Sequence, residues 1–312
     1  NTDVINTSLM STPTLMYLDG AVTGLAYLSD GDSGLNNITA NQRPVILMGQ
    51  DAFPSTMVNP YSTTKASGWQ LFEDREEVKF QLAINAGYTF PSVQQRMLDI
   101  CEKRGDSMAI LDIPLAYQGN KYDKTSDPIE YRNNAYGGLN ADTSYGALYT
   151  PWYYVKDTFS GKNIWLPPSG FIAEIFCATD RDYALWFSPA GLKRGLLDVL
   201  DVGVRYKLED RDALVEAQIC PTRVFEDIGI AVWGDYTLQR RNTALSNINV
   251  RRLLNYVKQR VEYILDFDTF DPNDNDLRET IKSQIGDILG PIKLNRGLYY
   301  YNVICDSSNN SV

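Results

Sequence analysis

The sequence of 312 residues contains no histidine. Histidine is the usual general base of serine and cysteine hydrolases, the commonest zinc ligand and the commonest proton shuttle near neutral pH. Its absence argues against a hydrolase triad and against a histidine-based metal centre. We therefore expect no catalytic residue, no metal ligand and no cofactor, and hence a protein that is not an enzyme.

Cysteine is scarce, and its four positions are widely spaced in apolar stretches: Cys101, Cys177, Cys220 and Cys305. A zinc site would need close pairs, and a secreted disulfide scaffold would need a higher density. We interpret these residues as buried free thiols. No apolar run approaches the roughly 20 residues of a membrane-spanning helix, and Asn1–Thr14 lacks the basic-then-apolar order of a signal peptide. We expect no membrane partner.

Positive charge is also in short supply, since 29 Lys and Arg residues stand against 39 Asp and Glu residues and give a net charge of −10. Such a chain repels a phosphate backbone, so we expect no nucleic-acid partner. An apolar share of 44% is typical of a globular protein, and the length suits about two domains. Because the chain starts without Met and stops after a polar string, we interpret it as part of something longer.

The first half of the chain predicts a parallel sheet. Strand patterns at Glu77–Asn85 and Ser107–Pro114 flank a helix with Ser92 as its N-cap and Gly105 at its end, which is the spacing of a βαβ unit. The buried face of that helix is expected to contain Val93, Met97, Ile100 and Cys101. The stretch 118–145 is rich in Asn, Gly, Asp and Tyr and predicts a long surface loop with little regular structure.

Later segments predict further helices and strands. Pro167–Asp180 has the apolar spacing of a helix, with Ser169 as its N-cap. The chain changes character near Asp210. From there the patterns predict, in order, a helix at Asp212–Gln218, a strand at Ile228–Leu238, a helix at Asn247–Leu265, a turn at 266–276, a helix at Asp276–Leu289 and a strand at Gly297–Asp306.

Three motifs are set aside on their chemistry. The GDSG string around Ser33 resembles the nucleophile of trypsin-like proteases, but it has no histidine partner and no β-barrel pattern around it. The acidic turn 266–276 resembles a calcium loop, but Asp276 stands where the loop requires Gly and Lys282 where it requires Glu. The N-glycosylation patterns at Asn6, Asn37 and Asn309 have no meaning without a secretory route.

Short strings in the second half resemble the tail sheath protein family of contractile-tailed bacteriophages. In that family a V-W-G-x-x-T-L strand leads into N-V-R-R at the start of a long helix, as Val232–Leu238 and Asn249–Arg252 do here. Other matching strings begin at Tyr149, Pro167, Ala178, Trp186 and Cys305. The candidate signature residues are Pro167, Pro168, Ser169, Thr179, Asp180, Trp186, Pro189, Gly191, Trp233, Gly234, Asn249, Val250 and Arg252.

The resemblance implies an α/β fold: a parallel-centred, subtilisin-like sheet with flanking helices in residues 1–211, without a catalytic site, and a smaller α+β domain in residues 212–312 that faces the tail tube. It implies other sheath subunits, the tail tube protein, the baseplate and the tail terminator as partners, in a virion tail assembled in the host cytoplasm. In the family, terminal arms add strands to sheets of neighbouring subunits. Here an outer domain before Asn1 and final strands after Val312 are missing, so we expect the isolated chain to be monomeric.

The long helix near Asn249 has two predicted roles. Val250, Leu253 and Leu254 are expected in the core, and Arg251 or Arg252 is expected to hold the start of the helix to carboxylates or carbonyls. A basic stripe of Arg251, Lys258 and Arg260 is the candidate contact for an acidic tail tube.

Three alternatives to a phage sheath stay open at this point. One is the sheath of a bacterial contractile injection system, of the type VI secretion or pyocin-like kind. A second is a hydrolase whose serine uses a base such as lysine. A third is a glycan-binding module built on the Tyr, Asn and Gly residues of 131–145.

Overall fold

A computed structural model describes residues 72–76, 78–120, 122–135, 137–158, 161–306 and 308–309. Ser33, Asn6 and Asn37 lie outside the described residues. The strands are β1 (Leu82–Ile84), β2 (Met108–Asp112), β3 (Gly146–Tyr149), β4 (Tyr153–Lys156), β5 (Asn163–Leu166), β6 (Leu196–Leu197), β7 (Asp201–Val202), β8 (Ile219–Cys220), β9 (Thr222–Phe225) and β10 (Gly229–Val232). The helices are α1 (Pro91–Arg104), α2 (Ser126–Asn133), α3 (Pro168–Asp182), α4 (Leu208–Glu216), α5 (Ile248–Phe267) and α6 (Asn275–Leu294).

A four-stranded parallel sheet in the order β1-β2-β3-β8 forms the centre of the fold. Successive side chains of a strand point to opposite faces, and both faces of this sheet are covered. Leu111 and Leu148 pack with α1 on one face, whereas Ile110 and Tyr149 pack with α3 and the start of α5 on the other. The predicted mixed α/β fold with a parallel sheet and flanking helices is confirmed.

The predicted βαβ unit is present as β1, α1 and β2. Its four expected core residues in α1 are all buried. The helix ends at Gly105, which has φ 68° and donates its N–H to the carbonyl of Cys101 at 2.9 Å. The predicted N-cap is wrong: Phe90 occupies that position, because Pro91 sets the first helical residue and leaves Ser92 inside the first turn.

The prediction of a long surface loop at 118–145 is wrong. The segment contains α2 and ends at β3, and Tyr131 is only 1% exposed. Its polar groups form internal hydrogen bonds: Tyr131 Oη donates to Gln94 Oε1 at 2.8 Å, and Arg132 Nη2 donates to the carbonyl of Leu238 at 2.8 Å. The polar composition therefore reflects buried hydrogen bonding, and Tyr131 is not available to a glycan.

Two small antiparallel sheets lie outside the central one, in the orders β5-β4-β7 and β6-β10-β9. The strand predicted at Ile228–Leu238 is too long, since β10 ends at Val232. Beyond it the backbone turns inward at Gly234, where a Cβ atom would lie 2.7 Å from Cys220 Cα. The helix predicted at Asp212–Gln218 begins earlier, because α4 starts at Leu208.

The last two helices form an antiparallel pair, which we call the hairpin. The predicted long helix is confirmed as α5, but its predicted core face is wrong: Val250 is half-buried and Leu254 is 40% exposed. The residues of α5 that are buried are Ile248, Arg252, Leu253 and Asn255. Three of them recur at i, i+4 and i+7, so the stripe that meets the body contains two polar residues that an apolar pattern does not count.

The strand predicted at Gly297–Asp306 is not formed in the part of the chain that the structure describes. From Tyr301 to Asp306 of this segment, half-buried residues, including Tyr301 and Val303, alternate with exposed ones. Tyr301 and Val303 pack against the hairpin, while Tyr299 and Ile304 face outward. It has the side-chain pattern of a strand without a sheet to join.

The division of the chain at residues 211 and 212 stays a prediction. Strand β8 follows this point, yet it pairs with β3 in the central sheet. Strand β10 also follows it and pairs with β6, which precedes it. The sheets therefore share strands from both sides of the predicted boundary.

Candidate functional site: a polar joint under the hairpin

The signature residues Pro167, Pro168 and Ser169 form the start of α3. Pro167 is the N-cap, so the prediction of Ser169 in that role is wrong. Ser169 lies in the first turn, where its backbone N–H and its Oγ–H both donate to the carboxylate of Asp112 at 2.7 Å. The loop after β1 adds a third donor, the N–H of Gly87, at 2.9 Å.

Asp112 ties three elements together at the carboxyl end of β2. Its side chain is fully buried, and burial raises the pKa of this carboxyl group from the ordinary value to about 6. The three donors act in the opposite direction because they favour the ionised form. Sequence reasoning missed this residue, although a carboxylate directly after a buried parallel strand was a visible signal.

The far end of α3 meets α5 through Asp180 and Arg252. The guanidinium of Arg252 donates to Asp180 Oδ2 and lies 4.7 Å from the ring centroid of Phe176. The prediction that Arg251 or Arg252 holds the helix start to a carboxylate is confirmed for Arg252. Thr179 Oγ1 and Asp180 Oδ1 are buried beside this pair without a hydrogen-bond partner in the described structure.

Trp186 links both helices of the hairpin to the loop after α3. Asn249 Nδ2 donates to the carbonyl of Trp186 at 3.1 Å, and Trp186 Nε1 donates to the carbonyl of Asn295 at 3.0 Å. A third contact lies further along α5, where Asn255 Nδ2 donates to the carbonyl of Ser107 at 3.1 Å, just before β2. These bonds fix the start of α5 and the end of α6 against the body.

The remaining signature residues shape the backbone beneath α5. Gly191 has φ 81° and donates its N–H to the carbonyl of Val232 at 2.9 Å, and Pro189 is buried beside it. Trp233 donates its N–H to the carbonyl of Pro221 at 2.9 Å. The backbone at Gly234 passes so close to Cys220 that a side chain at this position would collide with it, so glycine is required just before Asp235.

Asp235 is a second, half-buried carboxyl group of this region. Burial raises its pKa to about 6, while hydrogen bonds from Ser188 and from the N–H of Asn249, with the charge of Arg252, act in the opposite direction. We call this polar set the joint. Asp180, Trp186, Asp235, Asn249, Arg252 and Asn255 connect the body to the hairpin, and Asp112 and Ser169 fix the start of α3 within the body.

The three candidate basic residues are not brought together as one free stripe. Arg251 is half-buried and faces the body, where Nη1 donates to Ser144 Oγ at 3.1 Å and the guanidinium lies 4.3 Å from the ring centroid of Tyr145. Burial lowers the pKa of Arg251 below its ordinary value. Lys258 and Arg260 are exposed, and Lys258 Nζ lies 3.8 Å from Glu262 Oε1.

The chemistry of the joint is structural. Among the described residues, no group of three or more cysteine and acidic side chains is arranged to hold a metal ion. Ser169 is buried and bonded to a carboxylate, so no exposed nucleophile is formed there. Within the described ranges no helix has the length and apolar character that a membrane span requires. The prediction of buried thiols is wrong for Cys177, which is exposed, and for Cys305, which is half-buried.

Comparison with known proteins gives a consistent result. No family model matches the chain. It is 34% identical over 173 residues to the tail sheath protein of Vibrio phage KVP40, a match that covers 55% of this chain and 26% of that protein. It is 28% identical over 256 residues to the tail sheath protein of Enterobacteria phage T4, covering 78% of this chain and 39% of that protein.

Solved structures share the fold. The sheath complex of an extracellular contractile injection system in the contracted state, 24% identical, superposes with a TM-score of 0.59 over 72% of this chain and 58% of its own chain. A baseplate chain of the anti-feeding prophage, 18% identical, superposes with a TM-score of 0.58 over 93% of this chain and 75% of its own.

The phage relatives also define how much of such a protein is present. The chain spans 26% of the KVP40 protein, 39% of the T4 protein and 34% of a third relative, the tail sheath protein of Salmonella phage ViI. The sequence matches, together with the shared fold, make this chain a homologue of the tail sheath proteins of these three bacteriophages over the parts that are matched.

Proposed function

We propose that this chain is part of a structural subunit of a contractile tail sheath, which polymerises around the tail tube and contracts to drive the tube through the host envelope. The observation that carries the proposal is the match to tail sheath proteins of three phages. We also propose that the subunit is not an enzyme, since the residues brought together at the joint are occupied by structural hydrogen bonds.

The proposed partners are other sheath subunits, the baseplate, the tail tube and the tail terminator, in a particle assembled in the host cytoplasm. The segment at 298–306, whose exposure alternates from Tyr301 onward, supports the contact with other subunits. Its exposed Tyr299, Tyr300 and Ile304, together with its strand-like alternation, suit the addition of a strand from a neighbour. The proposed tube-facing domain is residues 212–312, in which Lys258 and Arg260 are the two exposed members of the candidate basic stripe.

A direct test is disruption of the gene that encodes the chain, followed by electron microscopy of the particles. Bare tubes on baseplates, with sheaths restored by the intact gene, are the expected result. Normal sheathed tails after disruption would contradict the proposal. Particles free of a capsid would favour the injection-system sheath, which shares this fold.

The absence of an enzymatic role has its own test. We expect the purified chain to remain unlabelled by a serine-reactive fluorophosphonate, with a known serine hydrolase as the positive control. Labelling at one serine, abolished by its replacement with alanine, would contradict the proposal and favour a lysine-assisted hydrolase.

The isolated chain is expected to be a monomer. If terminal arms of the kind that the family resemblance implies provide the main connection between subunits, a single lateral contact of the isolated chain must offset the loss of translational and rotational freedom by itself. Sedimentation at tens of micromolar would measure this. Discrete hexamers, or tubes seen by electron microscopy, would show that the arms do not provide the main connection.

A further inference from the structure

The far end of the hairpin is a surface that neither the joint nor the basic candidates account for. We call residues 263–276, between the last ion-paired residue of α5 and the start of α6, the tip. Helix α5 has 20 residues and is therefore about 30 Å long. It is held to the body by Arg252 near its start and by Glu262, which accepts hydrogen bonds from Arg75. The tip follows this last attachment.

Three aromatic side chains of the tip are unusually exposed. Tyr263 is 61%, Phe267 is 71% and Phe270 is 98% exposed. The rings of Tyr263 and Phe267 form an edge-to-face pair with centroids 5.1 Å apart. A single exposed apolar residue needs no explanation, but a cluster of large aromatic rings on one projection marks an interaction surface.

The charged side chains of the tip itself are all acidic, whereas Arg75, Lys79 and Arg260 line a surface depression together with Tyr263 and Asp266 at its base, and Arg278 donates to Asn273 at its other end. Between residues 261 and 277 the chain has no Lys or Arg, whereas the tip contains the carboxylates Asp266, Asp268, Asp271, Asp274 and Asp276. Asp274 caps α6 by accepting the N–H of Leu277 at 2.8 Å. The other four form no ion pair with the described residues, and Asp268 Oδ2 is shielded from solvent with no hydrogen-bond donor there.

We infer that the tip docks into a basic protein surface that contains an apolar recess. The aromatic rings would fill the recess, and lysine or arginine side chains around it would pair with the exposed carboxylates, such as Asp266 and Asp271. The acidic tip is repelled by nucleic acid and by anionic lipid, which excludes both as its partner. An acidic tail tube is excluded for the same reason, so the tip and the exposed cations Lys258 and Arg260 contact different partners.

A photo-crosslinking amino acid at position 270 of the full-length protein tests this inference in purified assembled particles. This test rests on the proposed function only through the particle it uses: failure to form particles would count against that function, and the inference is judged by the crosslinks. The matched control carries the same amino acid at Tyr122, which is 93% exposed on the body. We expect a crosslink from position 270 to a protein segment rich in Lys and Arg.

The chemistry of the contact is tested by a charge variant. In the Asp266→Asn, Asp271→Asn background, which removes two exposed carboxylates, the yield of that crosslink should fall by about threefold to tenfold, because each lost exposed ion pair contributes little. The Tyr122 control should be unchanged. A crosslink to a neutral or acidic segment, a yield that is insensitive to the two substitutions, or no protein crosslink above the control would each overturn the inference.

A last control separates docking from folding. Because Phe270 is almost fully exposed, Phe270→Ser should leave the thermal midpoint of the isolated chain unchanged while it weakens the contact in particles. Binding of the isolated chain to vesicles of anionic lipid, lost in Phe270→Ser, would assign the rings to a membrane and overturn the inference.

Discussion

The two ends of α5 reverse the usual distribution of polar and apolar residues. At its start, Arg252 and Asn255 are buried and bonded to the body, whereas Leu254 is 40% exposed. At its end, Phe267 and Phe270 are exposed and a run of carboxylates surrounds them. Both departures lie where the helix meets something else: the body at the joint, and by our inference a partner at the tip.

The comparison separates two kinds of polar contact. At the joint, buried donors and acceptors meet at fixed geometry, so the loss of one partner leaves others unsatisfied in a low-dielectric interior. At the tip, charges are exposed and screened, so each contributes little alone. Substitutions at the joint should therefore change the free energy of unfolding, and substitutions near the tip should change assembly.

The largest effect is expected for Asp112→Ala. This change leaves the N–H and Oγ–H of Ser169 and the N–H of Gly87 without their acceptor, so we expect a loss of about 3–5 kcal/mol in the free energy of unfolding. Urea denaturation of the isolated chain measures it. The matched control, Asp198→Ala, removes an exposed carboxylate and should leave the midpoint unchanged; equal effects of the two would break the comparison.

A smaller but still large effect is expected for Leu253→Ala, which opens a cavity among Leu289, Ile292 and their neighbours. Leu253 is 4% exposed, so the expected loss is about 2–4 kcal/mol, against less than about 1 kcal/mol for Leu254→Ala. Thermal denaturation of the two variants compares adjacent positions of one helix. A larger loss for Leu254→Ala would restore the core face predicted from the sequence.

These two positions show what the sequence could and could not predict about the fold. Periodicity found β1, α1, β2, α3 and α5, because those elements bury apolar residues at regular spacing. It misjudged the face of α5, because the buried stripe contains Arg252 and Asn255, whose hydrogen-bond partners come from distant parts of the chain. It also missed α2, whose buried Tyr131 and Arg132 are satisfied by tertiary contacts.

The candidate site was predicted in part for the same reason. Short strings such as that at Asn249–Arg252 identified the family, and the structure shows that many of the signature residues build the joint. Asp112 and Asp235 were missed, because the partners that define them are brought together only by the fold. The sequence analysis placed Phe267 and Phe270 in the turn 266–276 and made no prediction about their aromatic rings.

A pH titration sharpens the comparison at the joint. Burial raises the pKa of Asp235 to about 6 in the folded state, above its ordinary value, so the folded protein holds this proton more tightly than the unfolded chain. Its stabilising contribution is therefore full below about pH 4 and is lost as the pH rises to about 6. The shift corresponds to about 2–3 kcal/mol.

Asp235→Asn should remove that dependence. Relative to the parent, the variant should gain about 2–3 kcal/mol between pH 4 and pH 7, because a neutral amide has no proton to lose. Urea denaturation at both pH values, with parent and variant side by side, cancels the contribution of Asp112, which both retain. Parallel pH profiles would show that Asp235 is ionised throughout this range.

The smallest effect on stability is expected for Lys258→Glu, which tests the proposed tube contact. Lys258 is exposed and its pairing with Glu262 is weak, so the reversal should change the free energy of unfolding by less than about 1 kcal/mol.

In the full-length protein, many copies repeated along the sheath multiply a small difference in the free energy of the tube contact. Assembly around isolated tubes should weaken, and the difference from the parent should be larger at low salt. At high salt, screening weakens the attraction that Lys258 provides in the parent, so the parent and the variant should behave more alike. Lys193→Glu makes the same charge change at an exposed position on the body and should assemble normally. Unchanged assembly of Lys258→Glu would exclude Lys258 as a tube contact. The inferred partner of the tip would be unaffected by that result.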